Sequence, residues 1–150
     1  MSVPLVHLQE GRDRAEADRL LHAVRETPAT GAFALWGTAS GVVAALRIAL
    51  QTPERVTALV LESPDQEPEP WMRDVRASAL VLLGTHDAGA SPGLGARYKA
   101  LLPNCHLVWV YDAGRDIAAN RPEAFTDVVA DFLERREAFV INRTPSRIHP

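Results

Sequence analysis

Four stretches of this chain are apolar almost without interruption, over residues 32–36, 56–62, 79–83 and 107–111, and helical patterns separate most of them. A strand with one face in water alternates apolar and polar side chains. A strand that is apolar at nearly every position is covered on both faces, as in parallel sheets built from βαβ units. The fold class is therefore α/β, with a mostly parallel sheet of four or five strands and flanking helices. A fifth strand is read over 4–8, where His7 dilutes an otherwise apolar segment.

The intervening segments have helical period. Asp13 and Glu16 have capping-box spacing, with Ala17, Leu20, Leu21 and Val24 forming an apolar stripe behind them. Residues 42–50 are apolar nearly all round, Arg47 excepted, which predicts a buried helix. Leu94, Tyr98 and Leu101 mark one face of another. Pro122 sits at the first position of a final helix, and Phe125, Val128, Val129, Phe132 and Leu133 keep its spacing. Residues 65–74 are acidic, Pro-rich and without period, and read as a loop; residues 138–150 read as an extended surface tail.

The 150 residues suit a single domain, with 16 basic and 19 acidic side chains and a net charge of −3. No basic stripe stands out, so nucleic acid is not an expected partner. The N-terminus lacks a basic region followed by an apolar one, and no apolar run is long enough to span a bilayer. A cytoplasmic protein with no membrane association is the expectation. His22, His106 and His149 show no metal-ligand spacing, and Cys105 is the single Cys, so no metal and no cofactor are expected.

Gly37-Thr38-Ala39-Ser40-Gly41 lies between an apolar run and a helix, the setting of a nucleophile elbow, G-x-S-x-G. The stretch FALWGTASGVVAALRIALQTPERVTALVLESP resembles the α/β-hydrolase fold family around its nucleophile. Downstream, SALVLLGTHD resembles the strand and turn carrying the family's acid, and LPNCHLVWVYDAGRDIAANRPEAFTDVVADFL resembles the segment carrying its His and final helix. The resemblance covers about residues 32–135. It leaves residues 1–31 as a weakly matched strand and helix, which implies a chain truncated at the N-terminus. Only the loop of residues 65–74 stands where the family often inserts a lid.

The resemblance assigns the triad positions to Ala39, Asp87 and Arg115. A methyl group has no lone pair for attack on a carbonyl. A guanidinium stays protonated at any working pH and cannot act as the base. Asp87 alone suits its position, and Arg115 is expected to pair with it. Ser40 and His86 adjoin the nucleophile and acid positions, but an elbow aims only its central side chain at substrate, and loop His residues are mostly solvated. Thr38 is set aside on the same ground as Ser40. Cys105 lacks an activating neighbour in any recognisable motif. His7 occupies the place of the His in the family's oxyanion loop, but Leu8 replaces the Gly that follows it there.

The expected function is therefore that of a degenerate α/β-hydrolase without hydrolytic activity, acting as a binding or assembly module. The alternative is an esterase-like hydrolase with a non-standard site, or one completed by another chain. Right-handed crossovers would place the connecting helices on one face of the sheet, leaving only the final helix for the other. A sheet so thinly covered, with its elbow strand at or near an edge, predicts a homodimer or a protein partner over the exposed region.

Overall fold

The computed structural model of the chain describes residues 5–8, 32–88, 92–135 and 147–148. Among these, six parallel strands form one sheet in chain order: β1 (Leu5–Leu8), β2 (Phe33–Thr38), β3 (Val56–Glu62), β4 (Ser78–Gly84), β5 (Cys105–Val110) and β6 (Arg147–Ile148). The expected parallel α/β sheet is what forms. The capping-box helix of the N-terminal segment lies outside the described residues.

Helix α1 (Gly41–Gln51) joins β2 to β3, and α2 (Leu94–Leu101) joins β4 to β5. Both pack on one face of the sheet. There Val42, Leu46 and Ile48 of α1 and Leu94 and Tyr98 of α2 meet Leu35, Leu59, Leu61, Val81 and Leu83. After β5 come the short helix α3 (Ile117–Asn120) and then α4 (Pro122–Arg135). Phe125, Val128, Val129 and Phe132 of α4 cover the other face, over Ala34, Val60, Leu80, Leu82, Val108 and Val110. Each large apolar side chain so buried contributes roughly 1.5–3 kcal/mol.

The placement of α1 and α2 on one face and of α4 on the other follows the crossover argument. Ala34, Ala58, Val60, Leu80 and Leu82 on the α4 side are all buried within a single chain. Ala34 and Ala58 belong to the same buried cluster as the apolar stripe of α4. The elbow strand β2 lies one strand in from the edge, between β1 and β3.

Two local expectations need correction. The acidic segment is not loop throughout: Pro70–Asp74 forms a 3₁₀ turn with Pro at its start, and it buries Met72 with Val75 under α1 and α2. The tail is more than an unpaired extension: Arg147 and Ile148 pair with Trp109 and Val110 as an edge strand, and residues 138–146 and 149–150 lie outside the described residues. No helix among the described residues is long and apolar enough to cross a membrane.

Candidate functional site

In a parallel sheet the C-terminal ends of all strands lie along one edge, so residues far apart in sequence converge there. The segment after β2 supplies the first group. Ala39 adopts φ +56°, a left-handed conformation that costs a residue bearing a Cβ roughly 1–2 kcal/mol. Two contacts fix it. The Ala39 amide donates to the Glu62 carbonyl at 3.1 Å, and the Val42 amide donates to the Ala39 carbonyl at 3.1 Å.

The flanking glycines make the sharp turn possible. A Cβ on Gly37 would stand 2.5 Å from the Gly41 carbonyl oxygen, and one on Gly41 would overlap the Leu8 carbonyl of β1. The backbone path is thus that of a nucleophile elbow, with a methyl group at its apex, 1% exposed. Ser40 occupies the N-cap position of α1, but its backbone is already helical and its side chain makes no capping bond.

Asp87 follows the end of β4 and its side chain is only 2% exposed. Arg115 follows β5, and its Nε lies 3.9 Å from Asp87 Oδ1. The two are brought together as a long ion pair, with the Arg115 side chain 36% exposed. His86 is turned elsewhere: its Nε2 lies 3.6 Å from Asp112 Oδ1, and both side chains are well exposed. Cys105 is a free thiol at the start of β5, pushed up to about 12 by burial, the reverse of an activated nucleophile. His22 and His149 lie outside the described residues. His106 sits edge-on to Phe132, and burial lowers its proton affinity. Among the described residues no three His, Cys, Asp or Glu side chains are grouped to hold a metal ion.

One residue the sequence reading passed over is central to this edge. Glu62, the last residue of β3, is 1% exposed and carries its carboxyl among neutral donors. Oε1 accepts from Trp36 Nε1 at 2.8 Å and Thr38 Oγ1 at 3.3 Å. Oε2 accepts from the amides of Ile117 and Ala118 at 2.8 and 3.2 Å. Burial raises its proton affinity above the ordinary 4.5; the bonds from Trp36, Ala118 and Ile117 oppose that, and the nearby Asp116 charge adds to it. Beside it the Ser63 hydroxyl donates to the Arg115 carbonyl at 2.6 Å. Glu62 and Ser63 together fasten the turn that carries Arg115.

The network reaches β1 as well. His7 Nε2 lies 2.8 Å from Thr38 Oγ1, and the imidazole stacks on the Trp36 indole at 3.6 Å between centroids. Its signal in the sequence was a polar residue closing two of the apolar runs: Thr38 as the last residue of β2 and Glu62 as the last of β3.

No protein-family model matches the chain, and no curated protein sequence does either. Solved structures do match. A predicted CIB-like hydrolase from Thermoplasma acidophilum is 21% identical with a TM-score of 0.69, over 82% of this chain and 62% of that one. The carboxylesterase CesB (YbfK) from Bacillus subtilis is 14% identical with a TM-score of 0.70, over 88% and 84%. MGS-MChE2, an α/β hydrolase from a metagenome of lagoon sediments at Mar Chica, Morocco, is 16% identical with a TM-score of 0.75, over 91% and 93%. The chain thus spans about three fifths of the first of these and most of the other two. At such identities the likeness is one of fold, and the fold is that of the α/β-hydrolases.

Proposed function

We propose that this α/β-hydrolase-fold chain has lost the acyl-transfer chemistry of its structural neighbours and acts by binding. The observation that carries the reading is Ala39 at the apex of an otherwise intact elbow. Covalent hydrolysis needs a nucleophile at that apex and a base beside it. Here the apex offers a methyl group, and the position after β5 offers a guanidinium held against Asp87. A carboxylate beside Arg115 neutralises charge and cannot relay a proton from it.

The experiment is labelling of the full chain with a fluorophosphonate serine probe, together with a panel of short-chain aryl esters. The expected result is no labelled residue and no turnover above buffer. Labelling at Ser40, or turnover abolished by Ser40→Ala, would establish the esterase reading instead. Light scattering at micromolar concentration addresses assembly: a dimer supports association between copies, and a monomer directs the search to a separate ligand.

A further inference from the structure

Thr38 and Glu62 end the adjacent strands β2 and β3, His7 stands next to the end of β1, and the three side chains form one continuous chain of polar contacts. We infer that Glu62 and His7 share protons as one coupled acid–base unit through the Thr38 hydroxyl, and that the state of this unit sets the grip of Glu62 on the Ile117–Ala118 turn.

A hydroxyl carries one proton, so between two partners it donates to one and accepts from the other. With Glu62 ionised, Thr38 donates to Oε1, and the Nε2–H of His7 donates to Thr38. With Glu62 protonated on Oε1, that O–H donates to Thr38, and Thr38 donates to a bare Nε2. Transfer along the chain is balanced. The Glu62 proton passes to the Thr38 oxygen as the Thr38 proton passes to Nε2, so carboxylic acid and imidazole become carboxylate and imidazolium. Only O–H and N–H bonds change, and no third reactant is required.

The surroundings favour sharing over independent titration. Glu62 is buried, whereas His7 is only half-buried and gives the pair its access to water. The groups bonded to the Glu62 carboxyl, from Trp36, Thr38, Ile117 and Ala118, are all neutral donors. The charged groups nearby on the α3 side are Asp116, whose charge opposes ionisation of Glu62, and Arg115, held with Asp87. Helix α4 meets the cluster through Phe125, packed against Trp36. Protonation of Glu62 removes the negative charge from the acceptor of two backbone amides, and charge-assisted hydrogen bonds are roughly twice as strong as neutral ones. The turn that loses grip is the one bearing Arg115. Proton occupancy at β1 and β3 is thereby linked to how firmly Arg115 is placed beside Asp87.

The test is a nuclear magnetic resonance titration of the full chain, following the Glu62 carboxyl carbon, the His7 ring and the amides of Ile117 and Ala118. Coupled groups titrate in macroscopic steps that belong to the pair. The expected result is two inflections common to Glu62 and His7, with both amides shifting at the Glu62 step. In Glu62→Gln the His7 midpoint should fall by about one pH unit, because the nearby carboxylate that favours imidazolium is gone. Separate single transitions in the unaltered chain overturn the inference, and so does an unmoved His7 midpoint in a folded Glu62→Gln. If that variant does not fold, the titration of the unaltered chain decides by itself.

Discussion

Gly41→Ala sets a helix-forming residue against a backbone that has no room for it. At an interior helical position the exchange gains roughly 0.8–1 kcal/mol from propensity. Gly41 opens α1, and its missing side chain is where the Leu8 carbonyl of β1 passes: an added Cβ would overlap that oxygen and stand 3.0 Å from its carbon. Both partners are main chain, so no rotamer change relieves the overlap. Carbon–oxygen contacts settle at about 3.3–3.6 Å, so β1 and α1 must part by about 1 Å. Overpacking costs about 1–3 kcal/mol, here about 2–3 because both blocking atoms are main chain, and the propensity gain offsets only part of it. The expected net loss is about 1–2 kcal/mol, a fall in melting temperature of about 2–8 °C for a domain of this size. Thermal denaturation followed by circular dichroism measures the loss. Hydrogen exchange should show weakened protection in β1, whose pairing with β2 is what the displacement strains. An unchanged or raised melting temperature would refute the reasoning, since it would mean that β1 yields freely and does not brace the elbow.

Arg115→Ala should lower stability by about 1 kcal/mol, because it leaves the Asp87 carboxylate, 2% exposed, without the cation beside it; urea denaturation reads the change, and an unaltered midpoint would mean the pair contributes nothing. Cys105, with its thiol pushed up to about 12 by burial, should react slowly with a disulfide reagent at about pH 8 in the native chain and fast after unfolding; equal rates would contradict its burial. Glu62 holds its proton more tightly in the folded chain than at the ordinary 4.5, so its contribution to stability is complete below that pH and lost as pH rises through the folded value. Relative to Glu62→Gln, the unaltered chain should therefore gain stability as pH falls through that window, and the opposite slope in urea midpoints would show that the hydrogen bonds outweigh burial.

The sheet was legible because parallel strands must be apolar on both faces, and residues 56–62 and 79–83 have no other explanation in a chain of this composition. The last helix was equally plain, since Pro122 at its start and the stripe from Phe125 to Leu133 fall on one period. The 3₁₀ turn at Pro70–Asp74, the four-residue helix α3 and the two-residue β6 were not. Elements so short present less than one period of pattern, and their existence is decided by what they pack against. The elbow was visible in its glycines, and the residues at its apex and after β5, Ala39 and Arg115, could be read directly from their spacing. The carboxylate that organises this edge was missed. Glu62 looks like the polar end of a strand, and its partners stand 24 to 56 residues away. Only the parallel register, which sets Thr38 beside Glu62 and His7 beside Trp36, brings them together.

That register also explains why an elbow persists where no nucleophile stands on it. The left-handed φ of Ala39 is unfavourable by itself, and no substrate chemistry at a methyl group would compensate for it. Its support comes from both sides of the turn. The Glu62 carbonyl accepts the Ala39 amide on one side, and the glycine at 41 lets α1 settle against β1 on the other. Relaxing Ala39 to an ordinary conformation would swing α1 away from Leu8 and Leu35, breaking core contacts worth several times the local strain. The turn is therefore retained by packing, whatever side chain sits at its apex. The same reasoning accounts for the Arg115 turn. Glu62 and Ser63 hold its backbone by three hydrogen bonds that do not involve the Arg115 side chain, so the position beside Asp87 is kept independently of which residue fills it. Both positions are thus held by contacts that do not depend on the reactivity of the side chain they carry.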